Sequence, residues 1–414
     1  MKVFLVGGAV RDEVLGRNSH DRDYVVVGAT PEQMLALGYT QVGADFPVFL
    51  HPETKEEYAL ARTERKTGVG HKGFETFYDP DVTIEEDLGR RDLTINSMAK
   101  DLETGEIIDP YNGMADCRSR TLRHTTDAFK EDPLRILRLF RFQAQLGSKW
   151  CIAAETMVTV IGMANAGMLK EIPAERKWKE MEKANNTAHF AEYIHSMSLV
   201  GELPELMKLR GVEQPAEHHP EGDAFLHTIL CLAVSDRTCC LPQVKFAVLC
   251  HDFGKYVSYK NYGNLYGHEA AGVPLVREFC ERLKVPNDYR NLALKVTEFH
   301  TKIHSIQGRG DSKASKPKSV MKLFEDLGVV GAKKREFLED VLYACQIDAR
   351  GRTGKEDSDY PQMKYVLKLW DAMMEVRTKD ISLPLVEKGA SGVAIGEAIR
   401  VARINAIRGA MKNG

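Results

Sequence analysis

The sequence predicts an α+β protein in which a small mixed head precedes an all-helical remainder. Its 414 residues exceed the size at which one hydrophobic core keeps growing, so two or more domains are expected. Residues 1 to about 116 mix short β-rich runs (KVFLV, YVVVG, FPVFL, EYALA) with Gly, Pro and Asp turns, the pattern of an α/β or α+β unit. From about residue 125 onward the period changes. DPLRILRLFRFQAQ, HFAEYIHSMSLV, VKFAVLCHDFGK, AGVPLVREFCERL and KREFLEDVLYACQID all repeat apolar residues at three- and four-residue spacing.

Composition narrows the class. An apolar share of 43% and a charged share of 28% suit a water-soluble globular chain, and a net charge of −2 argues neither for nor against a nucleic-acid partner. Eight cysteines form no C-x-x-C pair and read as reduced core thiols. The apolar start MKVFLVGGAV is too short for a signal peptide, and no apolar run is long enough to span a bilayer. A cytoplasmic protein that binds no membrane is expected. QGRGDSKASKPKS, Gln307 to Ser319, reads as a flexible basic loop.

In the head, the first chemical signal is HDRDYVVVG, His20 to Gly28. On a strand, Asp21 and Asp23 share one face and Arg22 takes the other. Two carboxylates that close repel unless a cation lies between them, and Mg²⁺ takes one or two carboxylates plus water and substrate phosphates. A polar strand start explains the same pair, and Asp79-Pro80-Asp81 is a second D-x-D that reads as an ordinary turn. Context separates them. LVGGAVRDEVLG places Gly7 and Gly8 at the end of a strand with Arg11 one turn into a short helix, an arrangement in which backbone N–H groups can approach phosphate. Gly-Gly, Arg and D-x-D within 23 residues are the minimum equipment for two-metal nucleotidyl transfer.

GGAVRD followed by DRD resembles the class II tRNA nucleotidyltransferases, or CCA-adding enzymes, and the similar bacterial poly(A) polymerases. RRDLTIN (Arg90 to Asn96) resembles that family's ribose-recognition motif, DPYNGMADC (Asp109 to Cys117) its hinge-like motif, and EDPLRILRLFRF (Glu131 to Phe142) its base-reading motif. The resemblance covers essentially the whole chain and is closest to the gammaproteobacterial type with a C-terminal HD domain. It implies a polymerase β-like head over 1–116, a helical neck and body over 117–225, an HD domain over 226–352 and a helical segment over 353–414.

The resemblance also implies roles. Asp21 and Asp23 would be catalytic and hold Mg²⁺. Gly8, Arg11, Arg91, Asp92, Arg138 and Arg141 would hold the nucleotide, with Asp92 accepting from a ribose hydroxyl and Arg91 meeting a phosphate. Pro133 suits the first turn of a helix with Glu131 or Asp132 at its cap, and Asp132 and Arg135, three apart on one face, would read the base. CTP and ATP would be donors and the tRNA acceptor end the substrate, in a monomer or homodimer. No third carboxylate is assigned.

The helical part carries its own signal. His227, His251-Asp252 and Asp348 follow the H…HD…D ligand order of HD-domain phosphohydrolases. Imidazoles with carboxylates favour a transition ion such as Ni²⁺, Co²⁺ or Mn²⁺. The implied reaction is hydrolysis of phosphomonoesters or 2′,3′-cyclic phosphates. His268 and His300 are candidates for further ligands, although close members often carry a second His-Asp where this chain has His300-Thr301.

Arg118, Arg120, Arg123, His124, Lys130 and ERKWKE (Glu175 to Glu180) are candidate phosphate contacts for RNA, or simply a solvated charged face. Three alternatives share these residues. A poly(A) polymerase is disfavoured by the HD body and by GADFPVF (Gly43 to Phe49) in place of a basic stretch. An HD phosphohydrolase with a nucleotide-sensing head and a non-catalytic tRNA-binding module complete the set.

Overall fold

The computed structural model describes the chain except His20, 43–47, 67–73, Tyr78, Cys239, 309–312 and 413–414, together with the side chains of 64–66 and 74–77. GADFPVF and the Gln307 to Ser319 loop therefore lie partly outside the described residues. The chain divides into two compact units, Met1–Glu202 and Leu203–Gly414.

The first unit is built on a seven-stranded mixed sheet in the order β3-β4-β5-β2-β1-β8-β9. Its members are β1 (Lys2–Val6), β2 (Asp23–Val27), β3 (Thr40–Val42), β4 (Val48–Leu50), β5 (Glu57–Leu60), β8 (Ala99–Asp101) and β9 (Ile107–Ile108), while β6 (Thr63–Lys66) and β7 (Phe74–Phe77) pair separately. Among the described residues of this sheet β2 and β5 alone run parallel; the other pairs are antiparallel. Alternation splits the core between the two faces. Phe4, Val6, Val25 and Ala99 pack with Val82, Ile84 and Leu88 on one side. Tyr24, Val26, Tyr58 and Leu60 pack with Met34 and Phe49 on the other.

Helices α1 (Gly8–Val14), α2 (Pro31–Ala36), α3 (Ile84–Gly89) and α4 (Gly113–Ser119) accompany the sheet, and α5 (Leu134–Leu146), α6 (Ala154–Asn165), α7 (Ala174–Asn185) and α8 (Phe190–Leu199) follow it. Thr30 and Thr83 start α2 and α3 with reciprocal capping boxes. The start of α4 needs its glycine: a Cβ on Gly113 would stand 2.3 Å from the Thr94 carbonyl oxygen. Asp109 holds that end by accepting from the N–H groups of Gly113 (2.6 Å) and Met114 (2.9 Å), so the hinge-like motif is tightly bonded here.

Three boundaries differ from the sequence reading. β2 begins at Asp23, leaving Asp21 ahead of the strand. α5 begins at Leu134, with Pro133 at its N-cap and Asp132 one residue further out. Pro317 to Ser319 form the first turn of a helix instead of continuing the loop.

The second unit is helical throughout its described residues. It comprises α9 (Pro204–Met207), α10 (Ala224–Arg237), α11 (Pro242–Cys250), α12 (Lys255–Tyr262), α13 (His268–Leu283), α14 (Asn287–His304), α15 (Pro317–Leu327), α16 (Arg335–Arg350), α17 (Pro361–Met374), α18 (Thr378–Glu387) and α19 (Gly392–Lys412). α10, α11, α14 and α16 pack on one another, with Phe246, Val248, Phe299, Val296 and Leu342 among their buried side chains.

Candidate active site and metal centre

One cavity of about 680 Å³ in the first unit gathers every head residue singled out in the sequence: Gly8, Arg11, Asp21, Asp23, Arg91, Asp92, Asp132, Arg135, Arg138 and Arg141. Nine basic and six acidic side chains line it, a wall suited to a polyanion held beside a cation. Arg22 does not reach it.

The acidic corner contains a third carboxylate that no local motif announces. β2 and β5 pair in parallel with Asp23 opposite Glu57 and Val25 opposite Ala59. On the reverse face Tyr24 stacks on Tyr58 with centroids 4.5 Å apart, which fixes the register. Glu57 therefore shares a face and a cavity with Asp23 and Asp21. Crowding by protein atoms at the cavity mouth, then the Asp21 carboxylate, raise the pKa of Asp23; Arg91 opposes them and Glu57 adds to them. Three carboxylates with that mutual repulsion fit a hard divalent ion such as Mg²⁺.

Around this corner the arginines are held by buried partners. Gly7 has φ +69°, and Arg91 Nη1 lies 3.1 Å from where its Cβ would stand, so glycine gives that guanidinium room. Asp87, fully buried, pairs with Arg90 (2.9 Å) and Arg91 (3.1 Å). Burial acts to raise its pKa, but the two guanidinium groups outweigh it and hold the carboxyl below its ordinary value.

Asp92 is the centre of a second network. Its Oδ2 accepts from Arg138 Nε (2.7 Å) and its Oδ1 from Asn96 Nδ2 (3.1 Å), while Asn96 Oδ1 accepts from Arg11 Nη1 (2.9 Å). Burial works against its charge, but Arg138, Asn96 and Arg135 together hold the Asp92 carboxyl down to about 2. Arg141 pairs with the buried Glu180 of α7, and its guanidinium lies 4.1 Å over the Phe142 ring.

Asp132 and Arg135 both reach the cavity, joined through the backbone by the Arg135 N–H, which donates to the Asp132 carbonyl (3.0 Å). Asp132 Oδ1 caps the Leu134 N–H (3.0 Å) and its Oδ2 accepts from Arg176 (3.2 Å). Arg135 donates to the carbonyls of Ala128 (2.7 Å) and Arg90 (2.6 Å). A carboxylate has about four acceptor positions and a guanidinium five N–H donors, so both side chains are of the kind that can serve several partners at once.

ERKWKE is not the exposed basic face that its composition suggests. Trp178 is buried, Lys177 pairs with Glu202 (2.7 Å), Glu180 with Arg141, and only Arg176 of these faces the cavity. Arg123 is likewise paired, to Asp116 and Glu155, and Lys130 to Asp127. Asp79 and Asp81 form a turn in which Asp79 Oδ1 accepts the Asp81 N–H (3.0 Å).

The second unit holds a separate cluster. Asp223 caps α10 by accepting from Leu226 N–H (2.8 Å), which places His227 in the first turn. His251 and Asp252 follow the end of α11, and Asp348 lies near the end of α16. All four are at least 96% buried. His227 Nε2 lies 3.0 Å from Asp348 Oδ1, and His251 Nε2 lies 3.1 Å from Asp252 Oδ2 and 3.7 Å from Asp348 Oδ1.

His268 and His300 join from α13 and α14, with Nε2 atoms 3.5 and 3.7 Å from Asp252 Oδ1. His251, His268 and His300 each set Nδ1 against a backbone carbonyl, of Val248, Leu265 and Val296 respectively, leaving Nε2 to the centre. Glu221, absent from the sequence reading, accepts from His227 Nδ1 at 2.8 Å. This is the outer partnership that orients ligating imidazoles. His304 Nε2 lies 2.6 Å from Asp348 Oδ2, with the Tyr360 hydroxyl 2.9 Å from its Nδ1. Thr301, where a second His-Asp is often found, donates instead to Glu269.

Burial opposes charge throughout this cluster, yet the mutual pairs prevail. Asp252 and Asp348 are held well below the carboxylate range, and their carboxylates push His251 up to about 10. His300, where burial dominates, falls to about 3. His251 Nε2 and Asp252 Oδ1 are buried without a hydrogen-bond partner among the described residues. A buried cage in which two carboxylates meet inward-facing imidazole nitrogens, some of them without a hydrogen bond, fits a transition-metal ion, which would take the histidines in their neutral form.

Comparison with known proteins finds a family match in each unit. Residues 3–123 match the poly A polymerase head domain and residues 217–372 match the HD domain. A Bacillus stearothermophilus CCA-adding enzyme solved with CTP superposes with a TM-score of 0.61 at 23% identity, over 98% of this chain and 89% of that one. A Thermotoga maritima CCA-adding enzyme complexed with tRNA gives 0.61 at 20%, over 100% and 91%. A CCA-adding enzyme in an apo form gives 0.65 at 21%, over 98% and 88%. At these identities the likeness is one of fold. The chain thus carries a poly A polymerase head domain over residues 3–123 and an HD domain over 217–372, in a fold shared with solved CCA-adding enzymes.

Proposed function

We propose that the protein adds C, C and A to the 3′ end of tRNA from CTP and ATP, in the cytoplasm, as a monomer or homodimer. The observation that carries the reading is the cavity that sets Asp21, Asp23 and Glu57 against a wall of arginines, Arg90 and Arg91 just after α3 and Arg135, Arg138 and Arg141 on α5. Those carboxylates would hold Mg²⁺, which when bound acidifies the tRNA 3′-hydroxyl and neutralises triphosphate charge. The hydroxyl oxygen attacks the α-phosphate in line and pyrophosphate leaves. Arg11, Arg91 and Arg138 bind the triphosphate and sugar, each positioned by a buried acceptor: Asn96, Asp87 and Asp92.

Asp132 and Arg135 supply an acceptor and a donor toward the base. Fixed by the Leu134 N–H, Arg176 and two backbone carbonyls, they present a constant edge to whichever nucleotide enters. Rigid placement is what lets protein replace a template.

The helical cluster supports a second activity, hydrolysis of phosphomonoesters or 2′,3′-cyclic phosphates at a centre held by His227, His251, Asp252 and Asp348. Asp252 Oδ1, His268 and His300 form an adjoining donor group, so Asp252 is placed to be shared between two ions. Glu221 and His304 orient His227 and Asp348.

The deciding assay offers the purified chain a tRNA lacking its CCA end, with CTP, ATP or both. Ordered incorporation of two C and one A is expected. Homopolymeric A tails, or incorporation indifferent to CTP, overturn the reading in favour of a poly(A) polymerase.

A further inference from the structure

We infer that Cys231 is a thiolate ligand of the metal in the helical cluster, so that this centre gains a sulfur donor beside its imidazoles and carboxylates and selects a thiophilic ion. The inference rests on the reading of that cluster as a metal centre and adds a donor outside the H…HD…D order.

Cys231 is one turn after His227 on α10, hence on the same helix face. Its side chain is fully buried, and Sγ lies 3.4 Å from His227 Nε2. His227 Nε2, Cys231 Sγ, His251 Nε2 and Asp348 Oδ1 all lie within 4.8 Å of one another. In a tetrahedral site with the usual zinc bond lengths, nitrogen or oxygen donors stand about 3.4 Å apart, and nitrogen and sulfur about 3.6 Å. The separations here are 3.0 Å for His227 to Asp348, 3.7 Å for His251 to Asp348 and 3.4 Å for His227 to Cys231. These three separations fall near the tetrahedral values, and all four donors lie close enough to share one ion.

A second observation points to an ion and not to a buried thiol alone. His251 Nε2, one of those four donors on a residue 99% buried, faces Asp252 Oδ2 at 3.1 Å yet makes no geometrically sound hydrogen bond among the described residues. The backbone has also been shaped around the sulfur. A Cβ on Gly351 would stand 2.1 Å from Cys231 Sγ, so glycine there leaves the sulfur its place beside Asp348.

On binding, the metal–sulfur bond replaces the S–H bond and the proton leaves to solvent, with no change of oxidation state. Soft thiolate donation favours Zn²⁺, Co²⁺ or Ni²⁺ over Mg²⁺ or Mn²⁺.

The test is Co²⁺ titration of the full chain, followed in the visible and near-ultraviolet. The native protein is expected to show ligand-field bands of low-coordinate cobalt together with a thiolate-to-cobalt charge-transfer band. Cys231→Ser should lose the charge-transfer band, keep bound cobalt and lower Zn²⁺ affinity at least tenfold, with Cys231→Ala giving the same spectrum. Circular dichroism checks that both variants fold. The serine control also separates Cys231 from the other seven cysteines. Bound cobalt with ligand-field bands but no charge-transfer band in the native chain, or a band that survives Cys231→Ser, overturns the inference while leaving the metal centre standing. A native chain that binds no cobalt overturns both.

Discussion

Asp23 on β2 and Glu57 on β5 occupy paired positions of adjacent parallel strands, and the Tyr24–Tyr58 stack on the opposite face holds that register. Glu57 adds to the repulsion that raises Asp23. On the proposed reading, Glu57→Gln removes a charge that serves the metal ion, while the repulsion it relieves is unfavourable to the fold. Nucleotide incorporation with Mg²⁺ is expected to fall roughly a hundredfold, equivalent to about 2.7 kcal/mol of barrier, while the thermal midpoint holds or rises. Full activity in Glu57→Gln would exclude the glutamate from the site.

What could be read in the sequence and what could not divide along a physical line. Gly8, Arg11, Asp21 and Asp23 are close in the chain, and Asp132 to Arg141 share one helix and its approach, so local spacing already groups them. Glu57 sits in an unremarkable strand, and only non-local strand pairing brings it to Asp23. The pairing of ERKWKE shows the opposite limit: composition cannot tell a solvated charge from one whose partner, such as Glu202, is remote in sequence. In the helical unit, H…HD…D was visible as an order of residues. The roles of Glu221, His304 and Cys231 depend on where the rings of His227 and the carboxylate of Asp348 point.

Asp92 gives a pH signature. Its ordinary value of 3.8 drops to about 2 in the fold, so its pairing stabilises fully above the ordinary value and is lost as pH falls through the lower one. That shift is worth about 2 kcal/mol. The unfolding midpoint of the native chain is expected to decline between pH 4 and 2, and Asp92→Asn should flatten that portion of the curve. An Asp92→Asn curve parallel to the native one over this interval would refute the assignment.

Arg138→Met tests the same pair from the other side. It leaves the buried Asp92 carboxylate without its main counter-charge, and removal of one partner of such a pair costs about 3–5 kcal/mol. Chemical denaturation should reveal that loss, and Asp92→Asn in the Arg138→Met background should recover part of it. No recovery would mean that the packing of the arginine stem over Phe142, 5.5 Å from the guanidinium carbon to the ring centroid, matters more than its charge.

The two chemistries should come apart by mutation. Asp21→Ala with Asp23→Ala is expected to abolish incorporation and spare hydrolysis of 2′,3′-cyclic phosphates, whereas Asp252→Asn should do the reverse. Loss of hydrolysis as the only measurable defect in the Asp21→Ala, Asp23→Ala variant would favour a phosphohydrolase with a nucleotide-sensing head.

The helical centre depends on one backbone contact. A Cβ on Gly254 would stand 1.9 Å from the His268 carbonyl oxygen and 2.5 Å from Gly272 N, so glycine at this position lets the start of α12 lie against α13. That contact is what carries His268 to within 3.5 Å of Asp252 Oδ1. Gly254→Ala must push α13 outward, since the obstruction is backbone and has no rotamer to change. Overpacking of this kind costs about 3 kcal/mol. The thermal midpoint is therefore expected to fall, and Co²⁺ affinity to fall with it by tenfold or more. Gly409→Ala on α19 is the control: nothing lies within 4 Å of its Cβ position, and alanine in a helix interior favours folding by up to about 1 kcal/mol. It should raise the midpoint and leave cobalt binding unchanged. Equal cobalt affinity in Gly254→Ala and the native chain would show that His268 reaches the metal by some support other than this close approach of α12 and α13.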